Sequence, residues 1–245
     1  MRFRMRLVAA ITAFVAGVIW GWIVLLFTRS PARARRATSG VMAGPVCRCL
    51  LFDVRVEQGE RLDGIGPCVW IANHQSLACH QVLANIYRRF DECVVVGKLV
   101  GKWGLPLVAP LFRATGNITV EPGNPARNAK AFRLAREALH RGAAIAVYPE
   151  GTRRKDTRNL GPFHNGAFIM AVDGGVPVVP IVVSRFKPRF DVDARHIEPQ
   201  VVRVRVLHPI PTAGLSRSDV PRLREEARAR MQAVLDADAA AAGVA

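Results

Sequence analysis

The N-terminal region of the chain is dominated by one uncharged apolar run, from Leu7 to Phe27. As a helix rising about 1.5 Å per residue, this run spans roughly 31 Å, close to the ~30 Å hydrocarbon core of a bilayer. Trp20 and Trp22 lie towards its C-terminal end, where amphipathic rings favour the membrane interface. A cleaved signal peptide has an apolar region of only about 7–15 residues. The run therefore predicts a membrane anchor, which either spans the bilayer or lies in its interface.

Beyond the anchor, short β-branched runs alternate with helical patterns. One helix is marked at both ends, because Asn124 suits its N-cap, Pro125 its first position and Gly142 its stop. A second, charged and amphipathic helix is predicted from Pro221 to about Asp238. Alternation of this kind is typical of an α/β domain. The predicted strands are Val69–Ala72, Cys93–Val96, Ala143–Tyr148, Val176–Val183 and Val201–Leu207.

These patterns divide the chain of 245 residues into four parts. A single domain of about 200 residues with an appendage is long enough to bury a sizeable core. The parts are a membrane anchor with basic flanks (1–36), a connecting segment (37–64), the α/β domain (65–215) and a C-terminal helix with a tail (216–245).

The charge of the chain is uneven along its length. Lys and Arg number 35 and Asp and Glu 19, a formal net charge of +16. Seven arginines lie between Arg2 and Arg36 and no acid precedes Asp53, so +7 flanks the apolar run and +9 remains. Anionic headgroups attract each such cation by about 1 kcal/mol. An anionic membrane explains this placement better than nucleic acid does, and the heavier downstream cluster favours a cytoplasmic globular part.

The cysteines indicate neither a disulfide framework nor a metal centre. There are five, an odd number, in a long chain. Their spacing lacks the paired C-x₂-C units of zinc sites. We therefore expect reduced, mostly buried thiols and no metal.

Three segments near predicted strands carry candidate chemistry. Asn73-His74-Gln75-Ser76 places a histidine at a strand end, where it suits a general base, although a lone histidine is more often structural. Tyr148 to Arg154 offers a glycine, a threonine and two arginines to a phosphate, or else forms a basic surface turn. Gly175 to Val183 is an apolar, proline-punctuated strand whose plainest interpretation is a core element.

Taken together, in order and spacing, these segments resemble the glycerolipid acyltransferase family, specifically the 1-acylglycerol-3-phosphate (lysophosphatidic acid) acyltransferases. Asn73-His74 matches the start of NHxxxxD, and Tyr148 to Arg153 matches the Phe/Tyr-Pro-Glu-Gly-Thr-Arg block without departure. Gly116 to Pro122 resembles Gly-x-x-x-x-Asp/Glu-Arg, and Val176 to Pro180 matches Val-Pro-x-x-Pro. The likeness covers roughly residues 65–235, with further similarity around Phe163 and in 208–215.

The resemblance implies a mixed, mostly parallel sheet flanked by helices, with an N-terminal membrane helix. It also implies acyl transfer from acyl-CoA or acyl carrier protein to the free hydroxyl of lysophosphatidic acid, giving phosphatidic acid for phospholipid biosynthesis, with no cofactor. The implied partners are the lysophospholipid acceptor, the acyl donor and membrane phospholipids. The implied site has His74 as base; Glu150, Gly151, Thr152 and Arg153 for phosphate; Gly116 and Glu121 for the acceptor; and Val176, Pro177 and Pro180 for the acyl donor or the shape of the site.

Two positions depart from the family pattern. Cys79 stands where the family has the Asp that orients the histidine, and Pro122 stands where it has an Arg. His80, Glu121 or Glu150 could partner the histidine instead, or Cys79 could itself be acylated with His74 as its base. Lys98, Arg127 or Arg153 could supply the missing positive charge. The alternatives are specificity for another lysolipid, or a degenerate member that binds lipid without turnover.

Overall fold

The computed structural model describes residues 2–98, 107–121, 124–153, 158–186, 189–192 and 194–241. The helices are α1 (Arg2–Thr28), α2 (Pro31–Cys49), α3 (Cys79–Val82), α4 (Ala84–Tyr87), α5 (Val108–Ala114), α6 (Pro125–His140), α7 (Gly166–Gly174) and α8 (Val220–Ala241). The strands are β1 (Phe52–Glu57), β2 (Val69–Ala72), β3 (Cys93–Lys98), β4 (Ile118–Val120), β5 (Ala144–Val147), β6 (Val178–Val183), β7 (Phe190–Asp191), β8 (His196–Ile197) and β9 (Gln200–Val206).

The main sheet has the order β1-β9-β6-β2-β5-β3-β4. The five strands from β6 to β4 are mutually parallel. Strand β9 is antiparallel to β6 and parallel to β1, so these two strands at one side of the sheet run the opposite way. This mixed, mostly parallel sheet with helices on both faces confirms the predicted fold class. It also brings the carboxyl ends of five strands to one edge, where ligands of such sheets bind.

The sheet separates two apolar layers, and β2 shows how. Val69 and Ile71 face a layer formed with α6, α7 and α8. Trp70 and Ala72 face the other layer, formed with α2, α3 and α4. All four residues of β2 are buried, because a parallel strand covered on both faces needs apolar side chains on both.

The segment predicted as a connection, 37–64, contains most of α2 and all of β1. Strand β1 carries Asp53, Arg55 and Glu57 at alternate positions, and Asp53 and Arg55 are exposed. These charges hide the apolar alternation of Phe52, Val54 and Val56. The segment predicted as a connection therefore contributes a helix and an edge strand, and the sheet begins earlier than the sequence indicates.

The predicted helix boundaries around α6 are confirmed. The Asn124 side chain accepts a hydrogen bond from the backbone N–H of Arg127 at 3.1 Å. Pro125 occupies the first helical position, and Gly142 follows the helix with a φ of +90°. Helix α8 begins one residue earlier than predicted and continues to Ala241.

Helix α1 contains the apolar run and packs along α2. The contact is close, because a Cβ at Gly17 would lie 2.6 Å from the Cβ of Met42, and one at Gly21 would overlap the Thr38 hydroxyl. Small residues four apart permit such an approach between helices. Arg33, Arg35 and Arg36, which follow the apolar run, therefore lie in the first turns of a packed helix.

Arg35 departs from the predicted cluster of membrane-facing cations. Its guanidinium donates to the carbonyl of Thr115 and, at 2.7 Å, to a carboxylate oxygen of Glu92. The Arg35 side chain is only 10% exposed. One of the seven arginines near the apolar run thus fastens α2 to the domain.

Candidate active site

The candidate site lies at the carboxyl edge of β2 and β5, which are adjacent and parallel. Asn73 and His74 follow β2 directly, and Tyr148 to Arg153 follow β5. The fold therefore places the histidine motif beside the glutamate-arginine motif, although Glu150 follows His74 by 76 positions in the sequence.

The amide side chains on either side of His74 fasten it to β6. Asn73 donates from Nδ2 to the carbonyl of Val183 at 2.9 Å, and its Oδ1 accepts the Val183 N–H at 2.8 Å. Gln75 donates from Nε2 to the carbonyls of Val183 and Ser184, each at 3.1 Å. Both amides are buried. Because satisfied buried networks are rigid, the backbone of His74 has one position.

Glu150 is a structural tie between three segments. Its Oε1 accepts the backbone N–H of His74 at 3.0 Å, and its Oε2 accepts the N–H of Gly161 at 3.0 Å. The side chain is 5% exposed. A buried carboxylate needs such charge-assisted hydrogen bonds. These bonds engage the backbone of His74 and not its ring.

The imidazole of His74 is held by aromatic contacts. Its ring stacks on Tyr148 with centroids 4.1 Å apart and planes inclined by 20°. The ring of His80 meets Tyr148 edge-on at 5.1 Å and His74 at 6.0 Å. His74 Nδ1 is buried and has no hydrogen-bond partner within the described part of the chain. The nitrogen that the family pattern pairs with a carboxylate is therefore unpaired here.

Both histidines are kept neutral by their surroundings. Burial lowers the pKa of His74 to about 3, and the charges of His80 and Arg153 act in the same direction. Burial lowers the pKa of His80 to about 4. At neutral pH His74 therefore carries an unprotonated nitrogen that can accept a proton.

Cys79 does not partner His74. Its Sγ accepts the backbone N–H groups of Gln75 and Ser76, each at 3.4 Å. Burial raises the pKa of the Cys79 thiol to about 11, despite these bonds. A buried neutral thiol is neither an effective nucleophile nor a counter-charge. The structure supports neither the assignment of Cys79 as a catalytic residue nor its acylation.

The other carboxylate and histidine candidates hydrogen-bond to other groups. Glu121 follows β4 at the same sheet edge, but it pairs with Arg127 at 3.0 Å and accepts from Asn124 at 3.2 Å. His80 Nδ1 lies 3.2 Å from the Tyr87 hydroxyl. None of the three proposed substitutes, including Glu150, hydrogen-bonds the His74 ring in any contact that the structure describes.

The loop after β5 presents a surface suited to an anion. Gly151 has a φ of +64°, and a Cβ there would lie 2.8 Å from the His164 ring, so only glycine fits. The same position is 3.8 Å from the Lys98 Cε at the end of β3. Thr152 and Arg153 are exposed beside it. Lys98 and Arg153 are therefore cations near one exposed loop, whereas Arg127 is already paired.

The remaining predicted site residues lie further from His74. Gly116 precedes β4, and a Cβ at this position would lie 3.2 Å from the Arg35 guanidinium of α2. Val176 and Pro177 precede β6, at the opposite end of that strand from Val183. Pro180 is buried within β6, opposite Ile71. These residues support the strands rather than the sheet edge that carries His74. Pro122 and Arg154 lie outside the described residues.

Sequence reasoning missed the roles of Tyr148, Gln75 and His164. In the sequence Tyr148 is only the first residue of a motif, because its ring contact with His74 depends on two strands being neighbours. Gln75 lies beside His74 in sequence, so a polar residue flanking a candidate base was a usable signal. His164 carried no signal, because it reaches Gly151 through the fold. No group of three or more potential metal ligands occurs among the residues described.

Residues 53–184 match a family model described as Acyltransferase. The chain is 30% identical over 236 residues to a 1-acyl-sn-glycerol-3-phosphate acyltransferase of Salmonella typhimurium, covering 95% of this chain and 92% of that protein. It is 33% identical to human 1-acyl-sn-glycerol-3-phosphate acyltransferase beta, over 71% of this chain and 61% of that protein. A solved structure of the Thermotoga maritima 1-acyl-sn-glycerophosphate acyltransferase shares its fold, with a TM-score of 0.73, 24% identity and coverage of 97% and 98%.

Proposed function

The chain belongs to the acyltransferase family, and we propose that this O-acyltransferase moves an acyl group from a thioester to the free hydroxyl of lysophosphatidic acid, giving phosphatidic acid. The names of its relatives support this acceptor. The donor is acyl-CoA or acyl carrier protein, since both present the same thioester.

One observation carries the proposal: a neutral histidine lies beside a loop suited to phosphate. The carboxylate of Glu150 joins the histidine to this loop. Glu150 belongs to the loop that leads to Arg153, and it accepts a hydrogen bond from the backbone N–H of His74. Arg153 offers a guanidinium that can bind phosphate in a bidentate manner. Lys98 adds a second cation close to Gly151 and replaces the charge absent at Pro122. The acceptor phosphate then occupies the space between these two cations.

The reaction needs one proton acceptor and one proton donor. His74 Nε2 takes the proton of the acceptor hydroxyl as its oxygen attacks the thioester carbonyl. The carbon–sulfur bond then breaks, and the leaving thiolate receives that proton from His74. An ester and a free thiol result, and the histidine returns to its neutral form.

The lipid substrates require contact with a membrane, and α1 supplies an apolar surface for it. Of the described helices, one is long and apolar enough to cross a bilayer, Phe3–Thr28, and 22% of its apolar window is buried. The other side exposes a stripe at helical spacing: Met5, Val8, Ile11, Val15, Ile19, Ile23 and Leu26. The rest of α1 packs on α2 and α5, so the proposed anchor is held against the domain. The domain is proposed to lie on the cytoplasmic side of the membrane.

The second candidate is a degenerate member that binds lipid without turnover. The unpaired Nδ1 of His74 favours it, because a base that lacks its carboxylate is weakened. In the serine-protease triad, exchanging the Asp for Asn costs about 10⁴ in rate. Turnover by the purified protein decides between the two candidates.

The test is acyl transfer by the full chain in anionic vesicles, with lysophosphatidate as acceptor and acyl-CoA or acyl carrier protein as donor. His74→Ala is expected to lower kcat about 10²- to 10⁴-fold, the range for loss of a general base. The matched control is His140→Ala, because His140 is an exposed histidine at the end of α6. Full activity of His74→Ala would contradict the role of the base. No turnover with any lysolipid, together with retained vesicle binding, would establish the degenerate member.

A further inference from the structure

We propose that the base of this chain works without a carboxylate partner, and that the ring face of Tyr148 positions the His74 imidazole and stabilises its protonated form. This inference rests on the proposed function, in which His74 accepts the proton of the acceptor hydroxyl. It assigns Tyr148 as a positioning residue, since it acts through His74.

The first step is the environment of Nδ1. For Nε2 to accept a proton, the neutral ring carries its own proton on Nδ1. That atom is buried, and the described residues offer it no acceptor. When His74 becomes an imidazolium during the reaction, the described residues place no carboxylate on Nδ1 to balance the charge on this side. Another group must therefore favour the charged form.

Tyr148 is placed to do so. Its ring lies parallel to the imidazole at a centroid distance of 4.1 Å. The face of an aromatic ring carries partial negative charge and attracts a cation within about 6 Å. This attraction is larger for the imidazolium than for the neutral ring. Only such a difference between ground and transition state speeds the reaction.

The orientation of Tyr148 is itself fixed. His80 meets its ring at 89° with centroids 5.1 Å apart, and His80 is in turn placed by its contact with the Tyr87 hydroxyl. Tyr87 also packs on Trp70, with ring centroids 5.4 Å apart. The stack that supports His74 therefore extends through α3 and α4 into the core.

The pH dependence follows from the groups around the ring. They are His80 and Cys79 of α3, Tyr87 of α4, and Tyr148, Glu150 and Arg153 after β5. Burial, His80 and Arg153 lower the pKa of His74 to about 3, so the base stays unprotonated well below neutral pH. A carboxylate at position 79 would raise this pKa towards or above its ordinary value of about 6.5.

The experiment compares Tyr148→Leu with Tyr148→Phe in acyl transfer to lysophosphatidate. Leu removes the ring face and is expected to lower kcat roughly 10-fold with little change in KM. Phe keeps the ring face and is expected to retain kcat within about 3-fold. Equal losses for Leu and Phe, or a change in KM alone, would overturn the proposal.

A second arm repeats the pair in a Cys79→Asp background, with Cys79→Ser as the background control. With a carboxylate available, Tyr148→Leu is expected to cost less than half as much in kcat, because the two groups then share one task. All rates are measured at a saturating concentration of the acceptor, so that kcat does not include changes in acceptor binding caused by ionisation of its phosphate. An unchanged cost in the Cys79→Asp background would contradict the inference.

The pH profile requires no change at Tyr148, so it remains available if Tyr148→Leu does not fold. The native chain is expected to hold a constant kcat from about pH 8 to about pH 5, whereas Cys79→Asp loses rate as the pH falls through about 6.5. A native profile that already falls near pH 6.5 would overturn the inference. If the native protein turns over and His74→Ala does not, these results test Tyr148 alone; if the native protein has no turnover, both proposals fail.

Discussion

Cys79 stands where the family pattern has an aspartate, and its sulfur holds the loop that follows His74. A side chain at the start of α3 can accept the backbone N–H groups of the preceding loop, and the sulfur does so for Gln75 and Ser76. A carboxylate could also pair with an imidazole, and a buried neutral thiol cannot. The sulfur therefore ties down the loop after His74 but supplies no counter-charge to the imidazole.

Replacing Cys79 separates these two tasks. Cys79→Ala leaves two N–H groups without their acceptor and is expected to lower the free energy of unfolding by about 1–2 kcal/mol. The folded protein should keep kcat within about 5-fold, a change of no more than about 1 kcal/mol in activation free energy, because the thiol takes no part in the chemistry. Urea unfolding and acyl transfer measure the two effects, with Cys79→Ser as the control that restores an acceptor. Loss of all turnover in Cys79→Ala, with normal folding, would restore the acyl-cysteine interpretation.

At the scale of elements, α8 braces the loop that follows the glutamate-arginine motif. Gln232 accepts the N–H of Leu160 at 2.8 Å and donates to the carbonyl of Arg158 at 3.1 Å. Gly161, the next residue, donates to Glu150, which binds the backbone of His74. A chain of hydrogen bonds thus runs from the C-terminal helix to the base.

Gln232→Ala is expected to remove this brace. The loss of its two backbone partners should lower the free energy of unfolding by about 1–2 kcal/mol and raise KM for lysophosphatidate about 3- to 10-fold. The matched control is Arg230→Ala on the same helix, which loses an exposed pair with Glu226 worth about 0.3–0.5 kcal/mol. If both variants shift KM equally, α8 contributes stability alone and does not position the loop.

The elements also show what the sequence could and could not predict. Strand β2 and helix α6 were predictable because their patterns are local: an apolar run in one, and Asn124 with Gly142 in the other. Strand β1 was not predictable. Its charged residues are compatible with a strand only because β1 lies at the edge of the sheet, and that position depends on the tertiary structure. The motifs identify His74 and Glu150 as candidate site residues, but they do not show which groups lie next to the two ring nitrogens of His74. That depends on neighbours brought together by β2, β5 and β6.

For the whole molecule, the arginines near the N-terminus and the apolar face of α1 offer two different means of membrane contact. The net charge of +16 supports attraction to anionic lipid, which salt screens over about 8 Å at physiological ionic strength. Arg35 does not take part, because it binds Thr115 and Glu92. In the proposed membrane contact the exposed stripe of α1 would bury apolar surface instead, and apolar burial carries no charge for salt to screen. The stripe is therefore the stronger candidate for holding the protein at the bilayer.

The double variant Val15→Glu with Ile19→Glu tests whether the apolar stripe contributes more to membrane binding than the arginines do. Each change removes roughly 1.5–3 kcal/mol of apolar burial, so partition into anionic vesicles is expected to fall at least 10-fold. Sedimentation with vesicles measures it, and Ala129→Glu on the exposed side of α6 controls for added negative charge. The native chain should stay bound when salt is raised, whereas the double variant should be released. Release of the native chain by salt alone would assign membrane binding to the arginines, and the apolar face of α1 would then need another partner.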